Sequence, residues 1–409
     1  MGCAATRMIP DMSLGQLSGH TAGILGLCVF TVDGEVWLAS ASHDKTVKVW
    51  KATGGALVHT LEGHGDFCTA IVAYDSGGAP RIASGSADRT VRIWDPKAGK
   101  LVKICEGHEY FVKVMTTTKD DSGAPVIVSS ALDGTIRTWR GDSGEAIAVI
   151  RVHPQPPGHE LTTIRRQSLV APPAPPKRGS MVGGAAPPAG GRKSRYSKAP
   201  VPKRGPPGGA PAPIFAIAAD GAGTQLITGH ADGAIKTWPL TSCDAPSNAV
   251  SDAHGDSVFA LCVFAGAAGE RCASGSADFS IKIWDLGAMA ALVTIPGAHD
   301  EKVCALTTFA PSDGTPVKLV SGSGDMQLAL WDAEATPELE PPDKNAPKPE
   351  DPDEEVGPRS KAINRLEGHT TIISAVVPYM AGDKQRVASS AWDGRVRLWD
   401  PFDDGPGIC

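Results

Sequence analysis

Seven times along the chain a serine or threonine is followed four residues later by an aspartate, and six residues after that by a tryptophan. The first copy, SASHDKTVKVW, runs from Ser40 through Asp44 to Trp50. The others are Ser84, Asp88 and Trp94; Ser129, Asp133 and Trp139; Thr228, Asp232 and Trp238; Ser274, Asp278 and Trp284; Ser321, Asp325 and Trp331; and Ser389, Asp393 and Trp399. Repetition at a near-constant period constrains the fold more than any single motif, because one such unit cannot bury its apolar face alone and has to stack on its neighbours. It also disposes of a tempting reading. Serine, histidine and aspartate within five positions suggest a nucleophilic triad, but a triad is needed once and in one geometry.

Each copy has an alternating apolar run, a short turn centred on the aspartate, and a second alternating run ending in tryptophan, which predicts strand, hairpin, strand. A Gly-His or Ala-His pair precedes most copies, at His20, His64, His108, His254, His299 and His369. His153 stands in that register before the fourth copy, with Val152 in place of the glycine. Histidine, hydroxyl, aspartate and tryptophan are expected to close a hydrogen-bonded network in each unit, each bond contributing about 1 kcal/mol net.

On these residues the chain resembles the WD-repeat family of β-propellers. The terminal Trp-Asp pair survives at Trp94, Trp284, Trp331 and Trp399, while Lys51, Arg140 and Pro239 follow three of the other tryptophans. The resemblance implies an all-β fold, a seven-bladed propeller with four strands per blade. Only a short tail follows Trp399, so the missing outer strand of the last blade is expected from Ser13–Leu17 (SLGQL), closing the ring and covering its edges.

Gaps between successive turn aspartates place extra sequence in the third and sixth intervals. The organisation read from this is an N-terminal tail 1–10, blades one to three with the closing strand over 11–160, an insert 161–213, blades four to six over 214–332, an insert 333–361, blade seven over 362–403, and a tail 404–409. The first insert, from Leu161 to Pro213, carries ten Lys or Arg, no Asp or Glu, twelve Pro and eight Gly. From Ala333 to Pro358 there are nine acidic residues against two Lys. Neither can bury enough apolar surface to offset its ordering entropy, so both are read as disordered loops. By strand order the basic insert joins an outer strand to the next inner strand and the acidic one follows a Trp strand, connections that in propellers of the resembled family lie on opposite faces.

The formal charge of −6 becomes −9 once the two inserts are set aside, so the propeller body is acidic and whole-surface nucleic-acid binding is excluded. Nine cysteines lack metal-ligand spacing and read as core thiols in a reducing compartment; no metal or other cofactor is expected. The start MGCAAT fits myristoylation of Gly2 and palmitoylation of Cys3, and RRQS offers Ser168 to a basophilic kinase. The localisation expected is cytoplasmic, with membrane association through that lipidation.

In proteins of the family, partners often sit on the face formed by the starts of the inner strands and by the residue before the turn aspartate. Counting three and five positions after each histidine gives the pairs Gly23 and Leu25, Phe67 and Thr69, Phe111 and Lys113, Ser257 and Phe259, Lys302 and Cys304, and Ile372 and Ser374, and alignment of the fourth copy adds Phe215; of these Leu25, Phe67, Phe111, Phe215, Phe259, Lys302 and Ile372 are the candidate partner contacts. Four of the nine phenylalanines of the chain fall in these slots. The residue before the turn aspartate is small in most copies but is Leu132 in the third and Trp392 in the seventh. Large rigid side chains around a central opening are what protein interfaces use as anchors. The function expected is therefore a non-catalytic scaffold for protein partners, monomeric within a larger complex. Two alternatives are an RNA- or ribosome-associated factor acting through the basic insert, and a ubiquitin-ligase substrate receptor. Many such receptors carry Trp-Asp-x-Arg, and none of the seven tryptophans here begins that motif.

Overall fold

The computed structural model describes residues 14–152, 212–240, 245–266, 268–309, 317–336, 338–339 and 360–402. Their strands form seven four-stranded antiparallel sheets. The inner strand of each sheet packs on the inner strand of the next, and the seventh, Ile373–Ala381, returns to the first, Ile24–Val32, so the ring is closed.

The alternation of Val and Ile with longer polar residues in VKVWK, VRIWD and IKIWD suits a pleated strand with both faces occupied. The hairpin before it turns on a left-handed residue that follows each aspartate. Gly134, Gly233 and Gly394 take this position with φ of 75°, 82° and 74°, and Lys45, Arg89, Phe279 and Met326 take it with φ between 68° and 73°. For a residue with a Cβ this conformation costs roughly 1–2 kcal/mol. The aspartate offsets it by accepting the next backbone N–H along, as Asp44 Oδ1 does from Thr46 N at 3.0 Å.

Apolar faces of adjacent sheets interlock. Trp94 of the second sheet lies in one cluster with Val47, Val49 and Leu61 of the first, and Trp331 of the sixth with Ile281, Ile283 and Phe264 of the fifth. Closure uses the chain start. Gly15–Ser18 pairs antiparallel with Arg395–Trp399, setting Leu17 opposite Val396, and Leu17 is buried with Ile24, Trp50 and Tyr379. The closing strand expected near Ser13–Leu17 is therefore present, one to two residues further along. Trp37, the tryptophan outside both the repeat and the candidate face, is a core residue beside Phe30.

At the ends of the acidic insert the chain is structured. Ala333 is buried, Arg271 Nη1 meets Glu334 Oε1 at 3.4 Å, and Leu339 bridges to Ser360. Ser360 Oγ donates to Pro296 O at 2.7 Å, in the loop that leads to His299. The insert thus leaves the third strand beside Val317, away from the histidines, as Ala333 N donates to Val317 O, and Ser360 before its outer strand reaches the loop that leads to His299. Residues 340–359 and nearly all of 161–213 lie outside the described residues, as do Gly2, Cys3, His153 and Ser168. At the basic insert, Val152 N donates to Gly134 O on one side and Pro213 O accepts from Ala231 N on the other, so both of its described ends sit on the histidine face.

Candidate functional site

The histidine of each copy lies in the loop entering an inner strand, the hydroxyl on the second strand, the aspartate in the hairpin and the tryptophan on the third strand. Tryptophan Nε1 donates to the Ser or Thr Oγ in all seven copies, over 2.7–2.9 Å. Six histidines meet that hydroxyl through Nε2 at 2.6–2.8 Å. Through Nδ1 the same six donate to the aspartate at 2.7–3.2 Å. With Nδ1–H committed to a carboxylate, Nε2 is the acceptor of the hydroxyl proton. The geometry is that of a charge relay, yet every one of these hydroxyls is fully buried and already accepts an indole N–H, so nothing from solvent reaches it.

The fourth copy departs from the pattern. Its histidine role is taken from within the motif by His230, whose Nε2 lies 2.9 Å from Thr228 Oγ1. Two further polar positions escaped the sequence reading although the pattern carries them. The second serine of SxS, as in Ser42, Ser86 and Ser276, accepts the aspartate N–H and donates to a loop carbonyl. A hydroxyl two residues after the aspartate, as in Thr46, Thr90, Thr135 and Ser280, donates to the carboxylate at 2.6–2.7 Å.

Thiols are buried at Cys28, Cys68, Cys105 and Cys272 and half-buried at Cys262 and Cys304. Burial pushes the Cys68 and Cys262 thiols up to about 12 and those of Cys105 and Cys304 up to about 11, so none is a thiolate at neutral pH.

The face carrying the histidines is built from two distinct rings. Register breaks at the same place in all seven inner strands, leaving one residue bulged out of each pairing: Leu25, Thr69, Lys113, Phe215, Phe259, Cys304 and Ser374. A bulge re-aims a side chain, and here all seven line one central channel of about 390 Å³. Thr69 Oγ1 and Ser374 Oγ are used to tie sheets together, donating to Val112 O and Ile24 O of the neighbouring inner strands.

The outer ring holds the residues three positions after each histidine. Their carbonyls accept the N–H of the residue before the turn aspartate: His43 N to Gly23 O at 2.9 Å, Leu132 N to Phe111 O at 3.1 Å and Trp392 N to Ile372 O at 3.1 Å. Phe67, Phe111, Leu132 and Trp392 stand on this rim with 41%, 44%, 42% and 50% of their surface exposed. The expected ring of four phenylalanines thus divides in two. Phe67 and Phe111 point to solvent, whereas Phe215 and Phe259 are half-buried in the channel wall and stacked on each other, centroids 5.1 Å apart. Leu25, Lys302 and Ile372 are half-buried and line the channel with them.

His43 was missed. It occupies the position before the turn aspartate in the first copy, as Leu132 and Trp392 do in theirs, and its ring bridges Phe67 at 4.8 Å and Trp392 at 5.4 Å. Burial holds His43 below the ordinary histidine range, and the Lys113 charge pushes the same way against the opposing pull of Asp66. Tyr110, more than half exposed next to Phe111, extends the rim.

The family model described as "WD domain, G-beta repeat" matches residues 12–51, 55–95, 247–285, 291–332 and 360–400. Over 102 residues the chain is 35% identical to the small ribosomal subunit protein RACK1y of Oryza sativa subsp. japonica, covering 25% of this chain and 26% of that protein. It is 30% identical over 102 residues to the small ribosomal subunit protein RACK1 of Caenorhabditis elegans, with the same shares covered. A third match, 44% identical over 48 residues, is the pre-mRNA-splicing factor PRP46 of Kluyveromyces lactis, covering 12% of this chain and 11% of that one. The aligned segments span less than a third of these relatives. The third and fourth copies fall outside the family model, yet each builds a four-stranded sheet on the same tryptophan and hydroxyl. Five matched repeats, seven sheets in a closed ring and the hydroxyl-centred network in every sheet make this chain a member of the WD-repeat family.

Proposed function

We propose that the protein is a non-catalytic scaffold that docks protein partners on the histidine face. The observation that carries this reading is the rim itself: Phe67, Phe111, Leu132 and Trp392 keep 41–50% of their surface exposed around one opening in an otherwise acidic body. Large apolar side chains grouped on one face are worth far more against a partner than against water. The Ser-His-Asp geometry supports the same conclusion, since its hydroxyls are spent on tryptophans and closed to substrate.

A second reading, association with RNA or a ribosome through the basic insert, is favoured by the names of the similar proteins and by the position of both insert ends on this face. One experiment separates the two: affinity purification of tagged wild type and of the Phe67→Ala, Phe111→Ala, Trp392→Ala variant, each with and without ribonuclease. Loss of co-purifying proteins from the variant, with an unchanged melting temperature and no effect of ribonuclease, is expected. Full retention by the variant, with release on ribonuclease treatment, would replace the first reading by the second.

A further inference from the structure

We infer that the channel mouth is the seat for an acidic side chain of the docked partner, a glutamate or aspartate of an acidic peptide segment held between the ammonium groups of Lys113 and Lys302. This deepens the docking role proposed above and rests on it.

Lys113, Phe215, Phe259 and Lys302 come from four consecutive sheets, the third to the sixth, and form one continuous array along the channel wall. Lys113 Nζ lies 5.9 Å from the centroid of Phe215, and Lys302 Nζ lies 5.5 Å from that of Phe259. The two rings stack with only 3° between their planes. A cation thus stands at each end of a two-ring stack. Aromatic faces attract cations through their quadrupole but carry no net charge, so the stack positions the ammonium groups without neutralising them. Among the described residues no carboxylate forms an ion pair with either lysine, although ion pairs of lysines with acidic residues are common elsewhere on the molecule, as at Lys51 with Glu35 and Lys97 with Asp33. Lys113 is exposed on the channel wall, where the chain packed around its stem and then the charge of Lys302 hold its ammonium below the ordinary lysine range.

Without a carboxylate partner among the described residues, the charge of Lys302 works against that of Lys113, an electrostatic cost to the folded protein. An anion entering from the rim removes that cost and finds donors already in place. The rim indicates where the anion comes from. A free small anion would leave Phe67, Phe111 and Trp392 in water, whereas an acidic segment of a protein places its carboxylate in the channel while its apolar neighbours cover the rim.

The test uses the full chain and three fluorescein-labelled probes, octaglutamate, octaglutamine and octauridylate, read by fluorescence anisotropy at low salt. Octaglutamate is expected to bind saturably and octaglutamine to bind far more weakly. The Lys113→Met, Lys302→Met double variant should lose at least about tenfold in octaglutamate affinity. Its melting temperature should stay the same or rise, since two unpaired charges have gone. Lys100→Met with Lys103→Met, on the exposed outer strand of the second sheet, should bind as wild type. Octaglutamate affinity indifferent to Lys113 and Lys302, or tighter lysine-dependent binding of octauridylate, would overturn the inference. If the rim variant above loses its partners while octaglutamate ignores the lysines, the docking face stands and only the acidic seat is lost.

Discussion

At the scale of single residues, the hydroxyl of each copy holds a histidine and an indole at once. Ser274 Oγ receives Trp284 Nε1 at 2.8 Å and serves His254 Nε2 at 2.6 Å, all three being buried. Ser274→Ala leaves both nitrogens without a partner in a dry environment, and should cost about 1–3 kcal/mol in urea unfolding followed by tryptophan fluorescence. The carboxylates predict a pH dependence. Burial alone would raise the carboxyls of Asp88, Asp133 and Asp278, but hydrogen bonds from His64, His108 and His254 and from the nearby hydroxyls outweigh it and hold all three well below the ordinary value. A depressed folded-state value means stability that is complete above the unfolded carboxylate range, near pH 4, and is lost as the pH falls toward the folded one. The urea midpoint should therefore slope down gently between neutral pH and about 5, as unfolding frees His20 and His43 from the burial that holds both below the ordinary histidine range, and drop steadily below about 4, where the carboxylates are lost. A midpoint that held level to pH 3 would show that these pairs do not link folding to protonation. These residues were legible because hydroxyl, aspartate and tryptophan keep their spacing through seven copies. His43 was not singled out, since only coordinates show its ring between Phe67 and Trp392.

Among elements, the closing strand carries the most weight per residue. Gly15–Ser18 is four residues long, yet it covers the edge of Arg395–Trp399 and brings Leu17 into the contact between the last and first sheets. Leu17→Ala should lower stability by about 2–5 kcal/mol, since the leucine is 3% exposed and its neighbours come from two sheets that cannot easily collapse on the gap. Size-exclusion chromatography with light scattering should show the variant associating on mild heating, as an uncovered strand edge pairs with other chains. A wild-type unfolding midpoint in the variant would mean that the ring does not depend on this strand. The strand was readable from arithmetic, because the last copy lacks an outer strand and the chain start offers one. The bulges were not: residues three and five after the histidine look alike in sequence, and only the register separates the outward Phe67 from the channel-facing Phe215. The stem formed by Leu339 and Ser360 was equally hidden, since it depends on carbonyls of a loop roughly sixty residues away in the chain.

For the whole molecule, what matters is how the two faces and the wall divide their labour. The rim, the channel lysines and both described ends of the basic insert share the histidine face, while the closing strand enters from the other. Composition foretold an acidic body with a local basic exception, and the strand order foretold the face of the basic insert. What composition could not foretell is that the positive spot continues into the channel, because Lys113 and Lys302 are ordinary lysines until the ring brings the third sheet near the sixth. The seven bulged positions have one more implication. Apart from Thr69 and Ser374, whose hydroxyls tie neighbouring strands, their side chains hang from a backbone whose ladder bonds are made by the residues on either side, so exchanging one alters the lumen without disturbing the hairpin that carries it. Leucine, threonine, lysine, phenylalanine, cysteine and serine all occur there already. A molecule of this build has a lock whose pins can be recut singly, and relatives with the same ring are free to diverge in what they admit.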